Sequence, residues 1–286
     1  MRMLKEALRD ILDEREIRFL YSSFDIIGDI AVIKIPDVLY EKRYIIGEAI
    51  LRNVRSVRCV FMQKSPVQGD YRIRYLEHIA GENRTLTLYK EHGCVFKVDL
   101  AKVYFSPRLS TERARIASLV MDGEVIVNMF AGVCTFSIVI AKRHHCKVYS
   151  IDVNPHAYEL CKENVRMNKL EDRVIPVLGD AKDVIIEQLE RSADRVLMPL
   201  PEKAKEYIKY AILALRAGKE CYIHYFTHIN SDNKKDAGYR CSDEVDKLLR
   251  EYDLKYSIVD TRVVREVSPR TYQVVSDISI TKKVIG

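Results

Sequence analysis

Val125-Ile126-Val127-Asn128-Met129-Phe130-Ala131-Gly132-Val133 reads as a short buried strand that breaks at Ala131-Gly132 into a helix. Val148-Tyr149-Ser150-Ile151-Asp152 reads as the next strand, closing on a carboxylate. Together they make half of a nucleotide-binding βαβ unit, which few folds accommodate. A glycine after the strand lets backbone approach a ligand, and an acid at the end of the following strand can accept protons from ribose hydroxyls. Only Gly132 stands where a dinucleotide fingerprint carries three glycines, so a pyrophosphate cradle is poorly supported. A ligand with ribose but no phosphate fits better, and S-adenosylmethionine is the commonest of these. The same unit also serves other ligands, or none.

Beyond Asp122-Gly123 strand and helix keep alternating. The pattern predicts a helix at 155–168, a strand over Val174–Asp180, a helix at 181–190 and a strand over Arg195–Met198 ending at Pro199-Leu200-Pro201. A helix at 202–216 and a strand over Cys221–Phe226 follow. Such alternation implies a parallel sheet covered on both faces, with a ligand at the carboxyl ends of the strands. Asp152, Asp180 and Pro199 to Pro201 all fall at those ends. The stretch 231–238 reads as a linker before a last helix near 243–252, and the runs 255–265 and 272–280 read as a closing antiparallel hairpin.

The first third has a different grammar. Residues 1–16 read as one amphipathic helix with Met3, Leu4, Leu8, Ile11 and Leu12 on a common face. Asp25–Ile35 reads as a hairpin turning at Gly28-Asp29, Leu39–Asn53 as a helix with Ile45, Ile46, Ala49 and Ile50 inward, and Val57–Met62 as a strand. From Asp70 to Gly81 apolar and basic residues alternate with period two, which would place Arg72 and Arg74 together on one face of a strand. Leu86–Asp99 reads as a second hairpin, turning near His92-Gly93. The division expected is a helix over 1–16, a small α+β domain over 17–105 that holds a substrate, and an α/β domain over 106–286. At the junction Pro107 stops a strand, Ser110 or Thr111 can cap a helix running to about Met121, and Glu112 falls in its first turn. Glu112 reads equally as a helix-start acid stabilised by the macrodipole or as a functional carboxylate, and spacing leaves both open.

At 286 residues the chain is long for one domain. No apolar run approaches the roughly twenty residues of a membrane span, and MRMLKEALRDILDER is too charged for a secretory signal, so a cytoplasmic protein that does not enter a membrane is expected. Seven cysteines without a CxxC pair read as reduced core thiols, and no His/Cys cluster suggests a tightly bound metal. The formal charge of +6 is modest, but Arg72, Arg74, Lys102, Arg108, Arg113 and Arg115 concentrate in one central stretch. Clustered cations suit a polyanion such as nucleic acid, although a solvated surface accounts for any single one.

Read together, Tyr71-Arg72-Ile73-Arg74, Tyr104-Phe105-Ser106-Pro107-Arg108, Thr111-Glu112-Arg113, Met129-Phe130-Ala131-Gly132-Val133, Ile151-Asp152-Val153-Asn154-Pro155 and His224-Tyr225 resemble the archaeal and eukaryotic tRNA (guanine-37-N1)-methyltransferases. The related wybutosine-pathway transferases share much of this set. The resemblance covers roughly residues 24–286, and it implies a class I methyltransferase, a Rossmann-like parallel sheet with an antiparallel C-terminal hairpin, preceded by a small RNA-positioning α+β domain. It implies methyl transfer from S-adenosylmethionine to the purine beside the anticodon, with the tRNA anticodon stem-loop as partner and a monomeric enzyme.

Carried over by position, the resemblance implies Glu112 as general base, Arg72 at guanine O6, and Arg108 helping to hold the base and the catalytic acid. It implies Tyr104, Asn128, Phe130, Gly132 and Val153 around the methyl donor, Asp152 on the ribose hydroxyls, Asp180 on the adenine amino group and Pro201 in the cofactor wall. Two positions depart from the family pattern. Asn128 stands where an acid usually opens the glycine motif, and Pro199 stands where an asparagine would fix the guanine edge, leaving only a backbone carbonyl. Some archaeal relatives with a proline there also methylate a carbon of the tricyclic wyosine precursor. The resemblance therefore leaves a wybutosine-pathway role, by C-methylation or by 3-amino-3-carboxypropyl transfer, as the alternative, and a non-catalytic RNA-binding module as a third. Many relatives carry a further N-terminal domain that touches the tRNA elbow, which the sixteen leading residues cannot replace. Comparable efficiency on full tRNA and on an anticodon stem-loop is the corresponding expectation.

Overall fold

Strand order changes character at Arg108, where the chain divides into two units, Met1–Arg108 and Leu109–Gly286. The structure, a computed structural model, describes residues 2–21, 23–64, 69 and 71–282, with side chains from Leu4 onward.

In the first unit α1 (Arg2–Ala7) and α2 (Glu14–Phe19) take the place of the single helix expected over 1–16. Asp13 causes the break. Its carboxylate accepts from the amides of Arg15 and Glu16 at 2.8 Å, while its own amide donates to the Glu16 carboxylate at 2.9 Å. This reciprocal cap favours a new helix start over continuation. Leu4, Leu8 and Leu12 are buried as expected, but Ile11 is 47% exposed, and the side chain of Met3 lies outside the described residues.

β1 (Asp25–Ile27) and β2 (Ile30–Ile33) form the hairpin read at Gly28-Asp29. A 3-10 turn at Asp37–Lys42 leads into α3 (Arg43–Asn53), then β3 (Cys59–Gln63) and β4 (Leu76–Gly81). The sheet runs β1-β2-β3-β4, with β2 and β3 parallel across the α3 connection. In α3 the buried residues Ile46, Ala49 and Ile50 follow the helical period, which turns Ile45 outward. β5 (Leu86–Glu91) and β6 (Cys94–Asp99) form the second hairpin at His92-Gly93. The strand expected from 70 begins only at Leu76, and Asp70 lies outside the described residues. Arg72 occupies a turn at φ +53°, its amide donating to Gly69 O at 3.0 Å, so Arg72 and Arg74 do not share the face of a strand.

In the second unit α4 (Ser110–Leu119) follows a 3-10 turn at Pro107–Leu109. The N-cap position falls on Leu109, not on Ser110 or Thr111, the preceding turn leading directly into the helix. Then come β7 (Val125–Asn128), α5 (Thr135–Arg143), β8 (Lys147–Asp152), α6 (Pro155–Asn168), β9 (Val174–Leu178), α7 (Ala181–Val184) with a π-helical turn to Leu189, β10 (Arg195–Met198), α8 (Pro201–Ala214), β11 (Glu220–Asn230), α9 (Lys234–Leu249), β12 (Lys255–Ser268) and β13 (Thr271–Thr281). One sheet runs β12-β13-β11-β10-β7-β8-β9; β9 through β11 are parallel, and β13 returns antiparallel to β11. The expected α/β architecture with its C-terminal hairpin is therefore the one that forms.

The stretch read as a linker at 231–238 is largely the start of α9. Asn233 caps it by accepting from the Asp236 amide at 3.0 Å, and Ala237, Cys241, Val245 and Leu249 recur at helical spacing on its buried face. One core of this unit lies on that side of the sheet, where Val127, Ile151, Val196, Ile223 and Ile278 meet α8 and α9 residues such as Ala204, Ile208 and Val245. The cysteine expectation also needs correction. Cys134 and Cys161 are disulfide-bonded with Cα atoms 5.2 Å apart, while the other five are buried free thiols. Packing of α5 beside α6 brings the two together, which their spacing in sequence does not reveal.

Candidate functional site

The loop between β7 and α5 crosses the carboxyl ends of the parallel strands. Ala131 N donates to Ile151 O at 2.8 Å, pinning the loop to β8. Gly132, at φ +55°, aims its amide at Asp152 Oδ2, 2.6 Å away, and Asn154 N donates to Oδ1 at 2.9 Å. Burial raises the Asp152 carboxyl above its ordinary range against the pull of these two amides. A carboxylate has about four acceptor sites, so capacity remains for ribose hydroxyls. Val153 beside it is 47% exposed. Cys134 also takes a left-handed conformation, φ +66°, at the start of α5, and the disulfide ties this glycine-like position to α6.

Asn128 is fully buried at the end of β7. Its Nδ2 donates to Ser137 Oγ at 3.1 Å, and Ser150 Oγ donates to the same oxygen at 2.7 Å, while Asn128 Oδ1 has no partner among the described residues. Asp180 caps α7 by accepting from Lys182 N at 2.8 Å, and both its oxygens accept from the Tyr207 hydroxyl at 3.0 and 2.8 Å. Tyr207 also meets Phe130 edge-on, ring centroids 5.3 Å apart. Burial and Asp180 push the Tyr207 hydroxyl's pKa up, so it remains a donor. Pro199 follows β10 and Pro201 opens α8, where a missing N–H costs nothing.

The cations assigned to base recognition belong to the first unit. The guanidinium of Arg72 lies 4.3 Å from the Tyr104 ring centroid and that of Arg74 lies 5.8 Å from it, with Arg74 also donating to Phe105 O at 3.4 Å. Arg108, 54% exposed at its side chain, donates to Asp25 at 2.8 Å.

Glu112 lies in the second unit and is only 3% exposed. Arg115, one helical turn on, donates to both of its oxygens at 2.7–3.1 Å. The same guanidinium donates to Asp277 on β13 at 2.5 and 3.1 Å. Asp277 accepts from His224 Nδ1 at 2.6 Å, its neighbour in the β11–β13 register. His224 Nε2 lies 2.8 Å from Arg195 Nη1, and Arg195 continues to Glu124 at 2.7 and 2.9 Å. Arginine has no acceptor, so Nε2 must accept and the imidazole proton resides on Nδ1. Burial holds His224 below its ordinary pKa despite Asp277, in keeping with that neutral form. Burial also raises Glu112, outweighing the opposing hydrogen bond and charge of Arg115.

Sequence reading did not single out Asp277, Arg195, Glu124 or Tyr207. Arg115 had a legible signal, since a cation three residues after an acid on a helix lies on the same face.

The sheet edge suits S-adenosylmethionine. A half-buried carboxylate with acceptor sites to spare suits ribose hydroxyls, the Phe130–Tyr207 pair offers an aromatic wall, and the orphaned Asn128 Oδ1 retains an acceptor at the opening of the glycine loop. The family described as the TRM5/TYW2 methyltransferase domain matches residues 87–252, and the TYW2 N-terminal domain matches residues 4–85. The chain is 40% identical over 264 residues to the tRNA (guanine(37)-N(1))-methyltransferase Trm5b of Pyrococcus abyssi, a match spanning 92% of this chain and 76% of that protein. It is 36% identical to the tRNA 4-demethylwyosine(37)-methyltransferase Taw21 of Saccharolobus solfataricus, over 96% of this chain and 99% of that protein. The crystal structure of Methanocaldococcus jannaschii Trm5 in complex with adenosine superposes with a TM-score of 0.80 at 37% identity, covering 98% of this chain and 79% of the other. Among the described residues no helix is long and apolar enough to cross a membrane. Motifs, strand order and matched length agree, and the chain belongs to the TRM5/TYW2 methyltransferase family.

Proposed function

We propose that this protein transfers a methyl group from S-adenosylmethionine to N1 of guanosine 37 of tRNA, with Glu112 as general base. The observation that carries the reading is a carboxylate with 3% exposure at the first turn of α4, fixed through both oxygens by Arg115 and made more basic by burial. Guanine N1 carries a proton at neutral pH. Glu112 takes that proton as the N1 lone pair bonds to carbon, and it returns the proton to solvent after turnover. Bound S-adenosylmethionine would supply an electrophilic methyl carbon whose bond to sulfur breaks to leave a neutral thioether. Arg72 meets the O6 edge, where negative charge builds as N1 loses its proton, a role suited to a planar guanidinium already held on Tyr104. Arg108 steadies the base, and Tyr104 borders the donor. Asp152 accepts the ribose hydroxyls beside Gly132 and Val153, while Asp180 with Tyr207, Phe130 and Pro201 form the adenine side.

The first unit, matched by the TYW2 N-terminal domain and carrying the Arg72–Arg74 pair, positions the anticodon stem-loop. The name of the Pyrococcus relative supports the guanine assignment, and the reading places a monomeric enzyme in the cytoplasm with its tRNA. Glu112→Gln is the deciding test. Methyl transfer to unmodified tRNA should fall by about 10²–10⁴-fold, while the calorimetric affinity for S-adenosylmethionine stays unchanged. Retention of full turnover sinks the assignment.

A second reading has its own support. Taw21 aligns over nearly its whole length, and Pro199 offers the base only a carbonyl. On this reading the substrate is tRNA bearing 4-demethylwyosine and the acceptor is a carbon. Mass spectrometry of nucleosides after reaction with each tRNA separates one methyl on guanosine, one methyl on the tricycle, and the larger 3-amino-3-carboxypropyl group.

A further inference from the structure

We infer that Arg115 and Asp277 are positioning residues for Glu112, with Asp277 drawing off part of the Arg115 guanidinium so that Glu112 is held in place yet left able to take a proton. The inference rests on the reading of Glu112 as the base. A guanidinium spent wholly on one buried carboxylate would make that carboxylate a fixed structural ion and a poor proton acceptor. Here the charge is shared. Arg115 Nε and Nη2 address Glu112, while Nη1 and Nη2 address Asp277. The charged groups facing Glu112 are Arg115 from its own helix, Arg262 from β12 at 4.0 Å, and Asp277 from β13. The two arginines favour the carboxylate, whereas Asp277 and burial favour the acid.

Asp277 can perform this function only if it stays ionised. Burial opposes that, but donation from His224 and Arg115 prevails and keeps its carboxyl far below the usual range. His224 cannot answer by becoming a cation, because its second nitrogen faces the Arg195 guanidinium and Arg195 is held by Glu124. The imidazole is thus locked as a neutral donor, and Asp277 retains its full charge for Arg115. Three strands, β10, β11 and β13, fix this arrangement behind α4.

The test is the single-turnover methylation rate of the full chain as a function of pH, with unmodified tRNA and saturating S-adenosylmethionine. Asp277→Asn should leave Arg115 serving Glu112 alone. The limb at which the rate rises should then move to lower pH by about one unit, a tenfold change in proton affinity, and the plateau should fall as the base weakens. Arg115→Gln should move the same limb to higher pH, and Arg115→Lys should restore part of the shift. A merely structural role would lower thermal stability or cofactor affinity in both variants without moving the limb in opposite directions. Limbs coincident with wild type in Asp277→Asn and Arg115→Lys overturn the inference, even if Arg115→Gln fails to fold. Glu112→Gln run alongside separates the two layers. If it is active, the base assignment fails; if it is inactive while the limbs stay still, only the Arg115–Asp277 relay fails.

Discussion

The two units treat charge in opposite ways. In the first, most charges meet where solvent still reaches at least one partner: Glu77, 17% exposed at its side chain, pairs with Arg43, 14% exposed, at 2.7 Å and with Lys64, 48% exposed, at 2.8 Å, and Arg84 pairs with Asp29 where both are about one-third exposed. In the second, Arg195 and Glu124 are 3% and 8% exposed, and Arg115, 15% exposed at its side chain, joins Glu112 and Asp277, which are 3% and 8% exposed. Surface pairs typically contribute about 0–1 kcal/mol. Buried pairs gain little over an apolar core of the same volume, yet breaking one by removing a partner is costly. The buried chain is therefore a poor device for stability and a good one for fixing orientation, and it ends at the carboxylate assigned to catalysis.

The largest effect expected from this contrast comes from Arg195→Met. It leaves Glu124 buried without its guanidinium and His224 Nε2 without its donor, and should cost about 3–5 kcal/mol in denaturant unfolding. A loss near that of a surface pair would break the comparison. The Cys134–Cys161 bond comes next. It closes a loop with a sequence separation of 27 at the cofactor edge, for which loop entropy gives about 3.5 kcal/mol. Cys161→Ser, or reduction of the native chain, should lower the unfolding midpoint accordingly. Identical midpoints in oxidised and reduced protein would show that the site loop owes its order to the sheet alone.

Much of the second unit is legible in sequence because strands buried on both faces leave continuous apolar runs, as in Val125–Val127 and Val196–Met198, and because Asn154-Pro155 is a helix-start signal. The linker reading at 231–238 failed because polar residues masked the four-residue recurrence from Ala237 to Leu249. The period-two reading of 70–81 failed at Arg72, whose positive φ no alternation pattern discloses. Glu112 and Asp152 could be found from local signals, a helix start and a strand end. Asp277 could not: it reaches Arg115 across 162 residues, through a strand order that places β13 between β12 and β11. The same limit hid the partnership of Cys134 with Cys161.

The smallest effect probes the surface side of the contrast. Hydrogen bonds from Lys64 and Arg43 hold the Glu77 carboxyl down at about 2, against an ordinary value of 4.5. Because the folded value is the lower one, the associated stability is fully present above about pH 4.5 and is lost as pH falls toward about 2. Solvent screening at a partly exposed site limits that contribution to about 1 kcal/mol. Asp13, Glu16 and Asp29 are lowered as well, so the wild-type acid sensitivity alone does not isolate Glu77. The informative quantity is a double difference: stability of wild type minus that of Glu77→Gln, measured at about pH 6 and again at about pH 3. It should shrink by somewhat more than half of that contribution, about 0.6 kcal/mol, at the lower pH, because pH 3 still lies above the folded value. A difference that does not change with pH would mean that the Arg43–Glu77–Lys64 cluster adds nothing to the fold, which would sharpen the contrast by leaving the buried chain as the structure's one costly use of charge among the pairs compared.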